Sequence, residues 1–351
     1  MSNDAALRIL ICRMSSLGDT VLTMPVACAL REEFPNAHLT WVVEKQAASM
    51  IREHRALNEV IQLDTDWSKS FKGLRRAGQT LRQHNFDLMI DCEGTNRSGL
   101  LGWLTAIPKR FGFSGPHSSL LNRVFTNEQV TPVFDHLTDR SLELLIPLGI
   151  HSPRVRWHLP IPPSARNWAR SWRRNSPHPK MAILDPGTSR ISKHWDAENF
   201  ARVSCHLRDA YQYQSIVCWT TETDLEFANQ IVKHSRGSAS LAPHTDLKHL
   251  SALIELSDLF ISGAIEPLHI SVAIGTSTIN LNGTTSDRNC SMYRQVTLQS
   301  GDDHDAFQIA GRGNPRSTRN RSIPKPHVVT FEQVCNAIAE IESKQRLLRA
   351  G

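Results

Sequence analysis

The sequence predicts an α/β protein made of two doubly wound domains, each built on a mainly parallel sheet. The chain has 351 residues, enough for two cores at roughly 150 residues per domain. Short apolar strands alternate with segments of helical periodicity, and a second such series follows the proline-rich stretch at residues 159–163. Because parallel strands need helical crossovers, this alternation favours parallel sheets. We expect domains at residues 1–160 and 180–328, a linker at 161–179, a C-terminal helix at 329–351, and a cleft between the domains.

The first strand and helix give the clearest pattern. Residues 8–12 form a short apolar run, a turn rich in Ser and Gly follows, and helical periodicity runs from residue 20 to about residue 34, where Pro35 and Asn36 end it. The other elements of this domain are predicted as strands at 39–43, 60–63, 87–91 and 110–113 and helices at 47–54, 71–84 and 97–106.

The second domain repeats the alternation. Its elements are predicted as strands at 181–185, 215–219, 258–262 and 278–282 and helices at 196–211, 222–234, 247–256, 267–274 and 331–348. The last helix has Val334, Ile338 and Ile341 at helical spacing. Residues 301–326 are polar and rich in Gly, Ser and Arg, and we expect a long flexible loop there.

Composition excludes several classes of protein. Hydrophobic residues make up 40% and charged residues 21% of the chain, which is ordinary for a soluble globular protein and argues against disorder. No apolar run approaches the ~20 residues of a membrane-spanning helix, and no signal-peptide pattern is visible, so we expect a cytoplasmic protein. The seven cysteines are scattered without a CxxC pair, which supports neither a disulfide framework nor a zinc site.

Basic residues are concentrated around the predicted linker. The net charge is +6, and residues 152–180 carry seven cations and no acid, so this segment would attract anions. Trp168 and Trp172 lie among arginines at residues 165–174, a pattern typical of a helix at an anionic membrane surface. A linker helix whose tryptophans pack between the domains explains it equally well. We expect no nucleic-acid partner, because the chain has no recognised reader motif.

The turn after the first strand is the first candidate binding site. Ser15, Ser16 and Gly18 at a helix start can hold an anion or a sugar hydroxyl, and Asp19 can accept a proton from a bound hydroxyl. The alternative is that Ser16 or Asp19 only caps the helix. The turn has no GxGxxG pattern, which gives a dinucleotide dehydrogenase little support.

A second candidate follows the strand at 181–185. It concentrates a glycine, two hydroxyls and two cations in the residues Gly187, Thr188, Ser189, Arg190 and Lys193. Such a loop can wrap and neutralise a phosphate. A solvated basic turn is the alternative.

Two more turns complete the candidates. Pro267 suits a first helical turn whose positive dipole end faces a ligand, and His269 is either a ligand contact or a packed histidine. Gly283 and Thr284 either bind an anion or a ribose or form a plain turn. Residues 302–305 carry metal-type side chains without the spacing of a known site, so no metal site is predicted.

These segments, in this order, resemble glycosyltransferase family 9, the ADP-heptose:lipopolysaccharide heptosyltransferases. The opening is similar to the family's strand, SS-x-GD, helix, Pro, strand signature. The other resembling segments are residues 87–98 (its DLVIDLQG…RS), 185–195 (its donor loop ending in KHW), 219–222 (its W-G-x-E turn) and, more loosely, 330–334.

The resemblance implies a GT-B fold of two Rossmann-like domains facing a central cleft, with the acceptor on the first and the nucleotide-sugar on the second. It implies inverting, metal-independent transfer of a heptose or related sugar from an ADP-sugar to an anionic, lipid-linked lipopolysaccharide acceptor at the inner membrane, without a cofactor. By resemblance, Asp19 is the catalytic base, Lys193 neutralises phosphate and Glu222 contacts ribose. The full expected donor-binding set is Thr188, Ser189, Arg190, Glu222, Glu266, His269, Gly283 and Thr284, and the expected acceptor-binding set is Ser15, Ser16, Gly18 and Arg97.

One segment departs from the family pattern. Ala264, Ile265 and Glu266 replace an acid, a hydroxyl and a glycine, and Gly283 is followed by Thr284 instead of proline. A Glu266 carboxylate ~4 Å from a diphosphate would cost about 4 kcal/mol at an effective dielectric of 20, unless it turns away or pairs with a cation. The alternative function is therefore a catalytically impaired GT-B homologue that acts as a binding or scaffold protein.

Overall fold

The chain folds into two compact units, Met1–Pro160 and Ile161–Gly351. The computed structural model describes residues 6–174, 178–187, 195–263, 265–281, 296–298, 307–309 and 329–350. Each unit contains its own sheet. The two doubly wound α/β sheets predicted from the alternation of strands and helices are thus confirmed.

The sheet of the first unit is entirely parallel. Its strands are β1 (Arg8–Cys12), β2 (His38–Glu44), β3 (Glu59–Leu63), β4 (Leu88–Asp91), β5 (Lys109–Phe113) and β6 (Glu128–Val130). Their spatial order is β3-β2-β1-β4-β5-β6, with every pair parallel. The direction of winding reverses between β1 and β4, and in such sheets ligands bind beyond the carboxyl ends of the strands at this reversal.

Helices cover this sheet. They are α1 (Leu17–Glu33), α2 (Lys45–Ala48), α3 (Phe71–Arg82), α4 (Asn96–Leu104), α5 (Leu120–Phe125) and α6 (Leu137–Glu143). Helix α1 packs against α6, while α3 packs beside α4 and α4 beside α5. Leu81, Leu101 and Met89 fill one core cluster between these helices and the sheet. The prediction of a helix at 47–54 was wrong in extent, since α2 ends at Ala48 and turns follow.

The second unit has a seven-stranded sheet. In chain order its elements are α7 (Pro163–Arg174), β7 (Lys180–Asp185), α8 (Ala197–Tyr211), β8 (Tyr213–Val217), α9 (Glu222–His234), β9 (Ala239–Leu241), α10 (Leu247–Leu256), β10 (Leu259–Ser262), α11 (Ile265–Ile274), β11 (Thr278–Asn280), β12 (Val296–Leu298), β13 (Phe307–Ile309) and α12 (Phe331–Ala350). The strand order is β13-β12-β11-β10-β7-β8-β9. Only the β12–β13 pair is antiparallel among these described strands.

The sequence-based boundaries differ from the structure where the periodic signal is weak. Strand β8 begins and ends two residues earlier than predicted, and β11 ends at Asn280. Strand β13 lies within residues 301–326, which were predicted as loop; the rest of that segment lies outside the described residues. The three-residue strands β6 and β9 were not predicted, because three residues are too few to show an alternating pattern.

Helix α12 closes the core of the second unit, as its apolar spacing predicts. Val334, Ile338 and Ile341 are buried in one cluster with the strands. Glu342 on the same helix accepts a hydrogen bond of 2.6 Å from the Tyr213 hydroxyl and forms an ion pair with Lys180. This buried carboxylate ties the helix to the first strands of the sheet.

Helix α7 forms within the predicted linker and packs on α10 of the second unit. The Arg166 guanidinium donates to both carboxylate oxygens of Glu255, at 2.7 and 2.8 Å. The Trp168 ring meets His249 edge-on, with 4.9 Å between ring centroids. Trp168 is half-buried and packs on the second unit. No helix in the described part of the chain is both long enough and apolar enough to cross a membrane.

Candidate active site

The candidate site lies at the carboxyl edge of the first sheet, where β2, β1 and β4 are neighbours. The loop after β1 spans residues 13–16, and the loop after β4 spans residues 92–95. In doubly wound sheets, ligands bind beyond the carboxyl ends of the strands where the winding reverses. The sequence placed the turn around Asp19 and the acceptor-binding candidate Arg97 at this edge.

At the start of α1, different residues provide the helix cap and the candidate base. Ser16 is the N-cap, and its side chain accepts a hydrogen bond of 3.4 Å from the Asp19 backbone N–H. The Asp19 carboxylate instead pairs with the guanidinium of Arg13 and is 22% exposed. A carboxylate in a first helical turn is also stabilised by the helix dipole. The residue that caps helix α1 is therefore Ser16 and not Asp19. The Asp19 side chain is left for another role.

Arg13 is the buried cation of the site. Its guanidinium donates to the Cys92 carbonyl at 2.8 Å, contacts Asp19, and lies 3.5 Å from a Glu93 carboxylate oxygen. Burial alone would lower the pKa of Arg13, but the charges of Glu93 and Asp19 raise it above its ordinary value. A buried charge is tolerated only when it is paired. Arg13 is paired with both Asp19 and Glu93, and its guanidinium therefore holds both carboxylates at this edge.

Glu93 connects the two loops. One carboxylate oxygen accepts from the Ser15 hydroxyl at 2.8 Å, and the other accepts from the Met14 backbone N–H at 3.0 Å. Predicted acceptor-binding Ser15 is thus engaged by Glu93, while Ser16 is exposed and Gly18 is buried in the first turn of α1. The β1–α1 loop is thus held by the Glu93 side chain, which is 78 residues after Ser15 in the sequence.

Asp91 organises the loop that carries Glu93. Its carboxylate accepts hydrogen bonds from the Glu93 and Gly94 N–H groups at 3.0 and 3.1 Å, from the Ser98 hydroxyl at 2.8 Å and from the Asn122 amide at 2.6 Å. Burial raises the pKa of Asp91 to about 6, although these hydrogen bonds oppose the rise. Full satisfaction of a buried carboxylate makes the loop rigid.

Predicted acceptor-binding Arg97 lies at the same edge. Its guanidinium pairs with Glu44 at the end of β2 and lies over the Trp67 ring, 5.4 Å from the centroid. The side chain is 40% exposed, so it can still reach an anionic ligand from this position.

Sequence reasoning missed Arg13 and Glu93 as site residues. Each is the first or second residue after a strand end, which is a detectable signal. Their partnership depends on β1 lying beside β4, which only the sheet order reveals.

The sequence predicts the other candidates at the carboxyl edge of the second sheet. Thr188, Ser189, Arg190, Lys193, Ala264, Gly283 and Thr284 lie outside the described residues. At the described end of β7, the buried Asp185 carboxylate accepts from the Ser262 hydroxyl at 2.9 Å. Burial raises the pKa of Asp185 to about 6, against the Ser262 hydrogen bond and together with the charge of Asp224.

Asp185→Asn is expected to stabilise the protein more at pH 7 than at pH 4.5. The raised pKa means that folding favours the protonated carboxyl, so stability present below the unfolded pKa near 3.8 is lost as pH rises through about 6. Relative to the variant, the parent chain should lose about 2 kcal/mol of unfolding free energy between these pH values. Urea unfolding of both proteins measures the difference, and Asp91 titrates in both and so cancels. An equal gap at both pH values would contradict the prediction.

Glu222 takes no part in the hydrogen bonds that cap the start of α9. Thr221 is the N-cap and accepts from the Asp224 N–H at 3.2 Å, and the Asp224 carboxylate accepts from the Thr221 N–H at 2.8 Å. Asp224 completes this reciprocal capping box. Glu222 is exposed, which leaves its carboxylate accessible to a ligand.

Glu266 and His269 occupy different environments on α11. Glu266 is exposed in the first turn, where the helix dipole favours a carboxylate. His269 is buried, with 4% of its surface exposed, as expected for the packed histidine that the sequence left as an alternative. In the described residues no three His, Cys, Asp or Glu side chains are grouped to hold a metal ion, and the run at 302–305 lies outside them.

Curated relatives of similar sequence are heptosyltransferases. The chain is 24% identical over 281 residues to the lipopolysaccharide core heptosyltransferase OpsX of Haemophilus influenzae, covering 79% of each protein. It is 25% identical over 282 residues to the lipopolysaccharide heptosyltransferase 3 of Escherichia coli, covering 76% of this chain and 80% of that protein.

Solved structures share the fold over almost the whole chain. A glycosyltransferase family 9 protein from Veillonella parvula superposes with a TM-score of 0.76 at 20% identity, covering 95% of this chain and 97% of that one. The Escherichia coli heptosyltransferase WaaC with ADP gives a TM-score of 0.73 at 20% identity, covering 96% and 99%. These likenesses confirm the predicted GT-B fold.

The sequence model of one protein family matches residues from both units of the chain. The model of glycosyltransferase family 9 (heptosyltransferase) matches residues 74–306, which is more than half of the chain. The resemblance inferred from the SS-x-GD turn and the segments that follow it is therefore confirmed. The chain belongs to glycosyltransferase family 9 (heptosyltransferase) and is a glycosyltransferase.

Proposed function

We propose that this chain transfers a heptose, or a related sugar, from an ADP-sugar to an inner-core sugar of lipopolysaccharide, with inversion and without a metal ion. The names of the curated relatives support the sugar and the acceptor. A solved structure of the same fold, WaaC with ADP-2-deoxy-2-fluoro heptose, supports the donor. The observation that carries the proposal is the Asp19 carboxylate, which is partly exposed at the carboxyl edge of β1 and held by Arg13.

In the proposed reaction Asp19 is the general base. It takes the proton of the acceptor hydroxyl as that oxygen attacks the anomeric carbon of the donor. The new carbon–oxygen bond forms as the bond from the anomeric carbon to the diphosphate breaks, and ADP leaves with the bonding electron pair. A single displacement of this kind inverts the anomeric centre.

Positioning of the base comes from the buried network below it. Arg13 holds the Asp19 carboxylate, and Glu93 holds both Arg13 and the Ser15 turn. Such a network sets the direction of the carboxylate before substrate binds, which reduces the entropic cost of reaching a reactive geometry. Asp19 remains the only member of this trio that is more than a tenth exposed.

Charge on the departing diphosphate would be met by the second unit. By family resemblance, Thr188, Ser189 and Lys193 contact the phosphates, and the N-terminus of α11 adds its dipole. Fixed cations and donors aimed at developing charge can do this without Mg²⁺. Glu266 is exposed in the first turn of α11, so its carboxylate is free to turn toward solvent when a diphosphate binds at this helix.

A ligand panel with the intact chain tests the donor. We expect ADP and ADP-heptose to raise the melting temperature, since a ligand at a hundredfold excess over its Kd stabilises by about 2.7 kcal/mol. ADP-heptose incubated with heptose-free lipopolysaccharide should then release ADP at a rate that requires the acceptor. Binding of ADP-heptose without any transfer would support the scaffold alternative, and the absence of binding by any ADP-sugar would refute the proposed donor.

A further inference from the structure

Helices α4 and α5 of the first unit expose a contiguous apolar surface. Leu120, Leu121 and Val124 on α5 are 75, 52 and 74% exposed, and Trp103 on α4 is 55% exposed. The two helices pack side by side, and the Trp103 ring lies 5.7 Å from the ring of Phe125 on α5. We call these four exposed side chains the α4–α5 patch. Clustered exposed apolar side chains of this kind make the patch a candidate docking surface.

The sequence stretches that form the patch and the helix beside it are basic. Residues 94–127 contain no Asp or Glu and four cations, Arg97, Lys109, Arg110 and Arg123. The neighbouring stretch 67–86, which includes α3, contains five cations and again no acid. Three of these nine are engaged with protein partners: Arg97 with Glu44, and Arg82 and Arg110 with backbone carbonyls. Cations therefore outnumber acids around the patch, where the exposed Glu128 at the start of β6 is the next acid along the chain.

The patch also adjoins the edge that carries the candidate base. Helix α5 starts at Leu120, directly after the loop that follows β5. In that loop the Ser119 N–H donates to the Gly94 carbonyl at 2.9 Å, and the residue before Gly94 is Glu93, which holds the Ser15 turn. A surface that binds at Leu120 thus lies on the side of the unit where Asp19 is presented.

From these observations we infer that the α4–α5 patch docks on an anionic lipid surface. Tryptophan and leucine side chains flanked by cations are the combination that binds the interface of an anionic bilayer. The occupant is a lipid surface and not a second copy of the chain, because a copy would bring the same cations against those already there. Helix α7, whose sequence suggested such a role, uses Arg166 and Trp168 to pack on α10.

Sedimentation with vesicles tests the inference independently of transferase activity. Vesicles of phosphatidylcholine with one third phosphatidylglycerol should bind the chain at least tenfold more tightly than pure phosphatidylcholine vesicles. Leu120→Ser/Val124→Ser should reduce that affinity at least tenfold at an unchanged melting temperature, since both side chains are mostly exposed. The matched control is Leu347→Ser on α12, with a side chain 74% exposed in the second unit, which should bind as the parent chain does.

The inference would be overturned by equal binding to both kinds of vesicle, by no binding to either, or by full binding of the α5 variant. Loss of binding in Arg170→Ser/Arg174→Ser together with full binding of the α5 variant would assign the contact to α7. A parent dimer in sedimentation equilibrium that the α5 variant dissociates would assign the patch to a second copy instead. Transfer to a water-soluble acceptor should be unchanged in the α5 variant, so failure here leaves the proposed reaction untouched.

Discussion

Asp19→Asn is expected to lower kcat for heptose transfer by about 10²–10⁴-fold, the range that a positioned general base contributes. The amide oxygen can still accept from Arg13, so the fold of the β1–α1 loop should persist while the proton acceptor is lost. Affinity for ADP should stay within about twofold of the parent chain, because the proposed donor residues lie in the second unit. Steady-state transfer assays and isothermal titration with ADP measure the two quantities separately.

A carboxylate at the other end of helix α1 provides the control for this variant. Glu33 is in the last turn of the same helix and is exposed, so Glu33→Gln removes an equal charge from α1 without touching the site. It should transfer heptose at the parental rate. Near-parental turnover by Asp19→Asn would remove Asp19 from the role of base, and an equal loss of ADP affinity would point to misfolding.

The large elements of the fold were predictable because long periodic segments carry a strong signal. Helices α9 and α10 begin and end at the predicted residues, and β1 does as well. Short strands such as β1 were predicted from their apolar runs. The three-residue strands β6 and β9 and the short helices α5 and α6 were missed, because they show no period. The same limit concealed the α4–α5 patch, since three of its four side chains lie on the unpredicted helix α5.

The candidate site was predictable only in part, for a reason of topology. The position of Asp19 after β1 follows from the sequence, and its contact with Arg13 lies within the same turn. The support from Glu93 depends on which strand lies next to β1. Sequence spacing of 78 residues carries no information on that adjacency. The role of α7 was undecided for the same reason, because its packing on α10 is a tertiary contact.

Arg13→Met is expected to lower the free energy of unfolding by about 3–5 kcal/mol, the cost of removing one partner from a buried ion pair. Methionine fills much of the volume of the arginine stem, so the loss reports the charge and its hydrogen bonds. The buried Glu93 carboxylate would lose its cation, and the Cys92 carbonyl would lose its donor. Urea unfolding at pH 7 measures the change.

A solvated ion pair in the same unit is the control. Arg156 and Glu32 pair at 2.9 Å with 41 and 43% of their side chains exposed, so Arg156→Met should cost less than about 1 kcal/mol. The double variant Arg13→Met/Glu93→Gln should recover part of the loss, because it removes the stranded charge. Equal losses in Arg13→Met and Arg156→Met would show that burial does not strengthen the Arg13 pair. Asp19 would then be held by the turn alone, and the network beneath it would have no part in presenting the base.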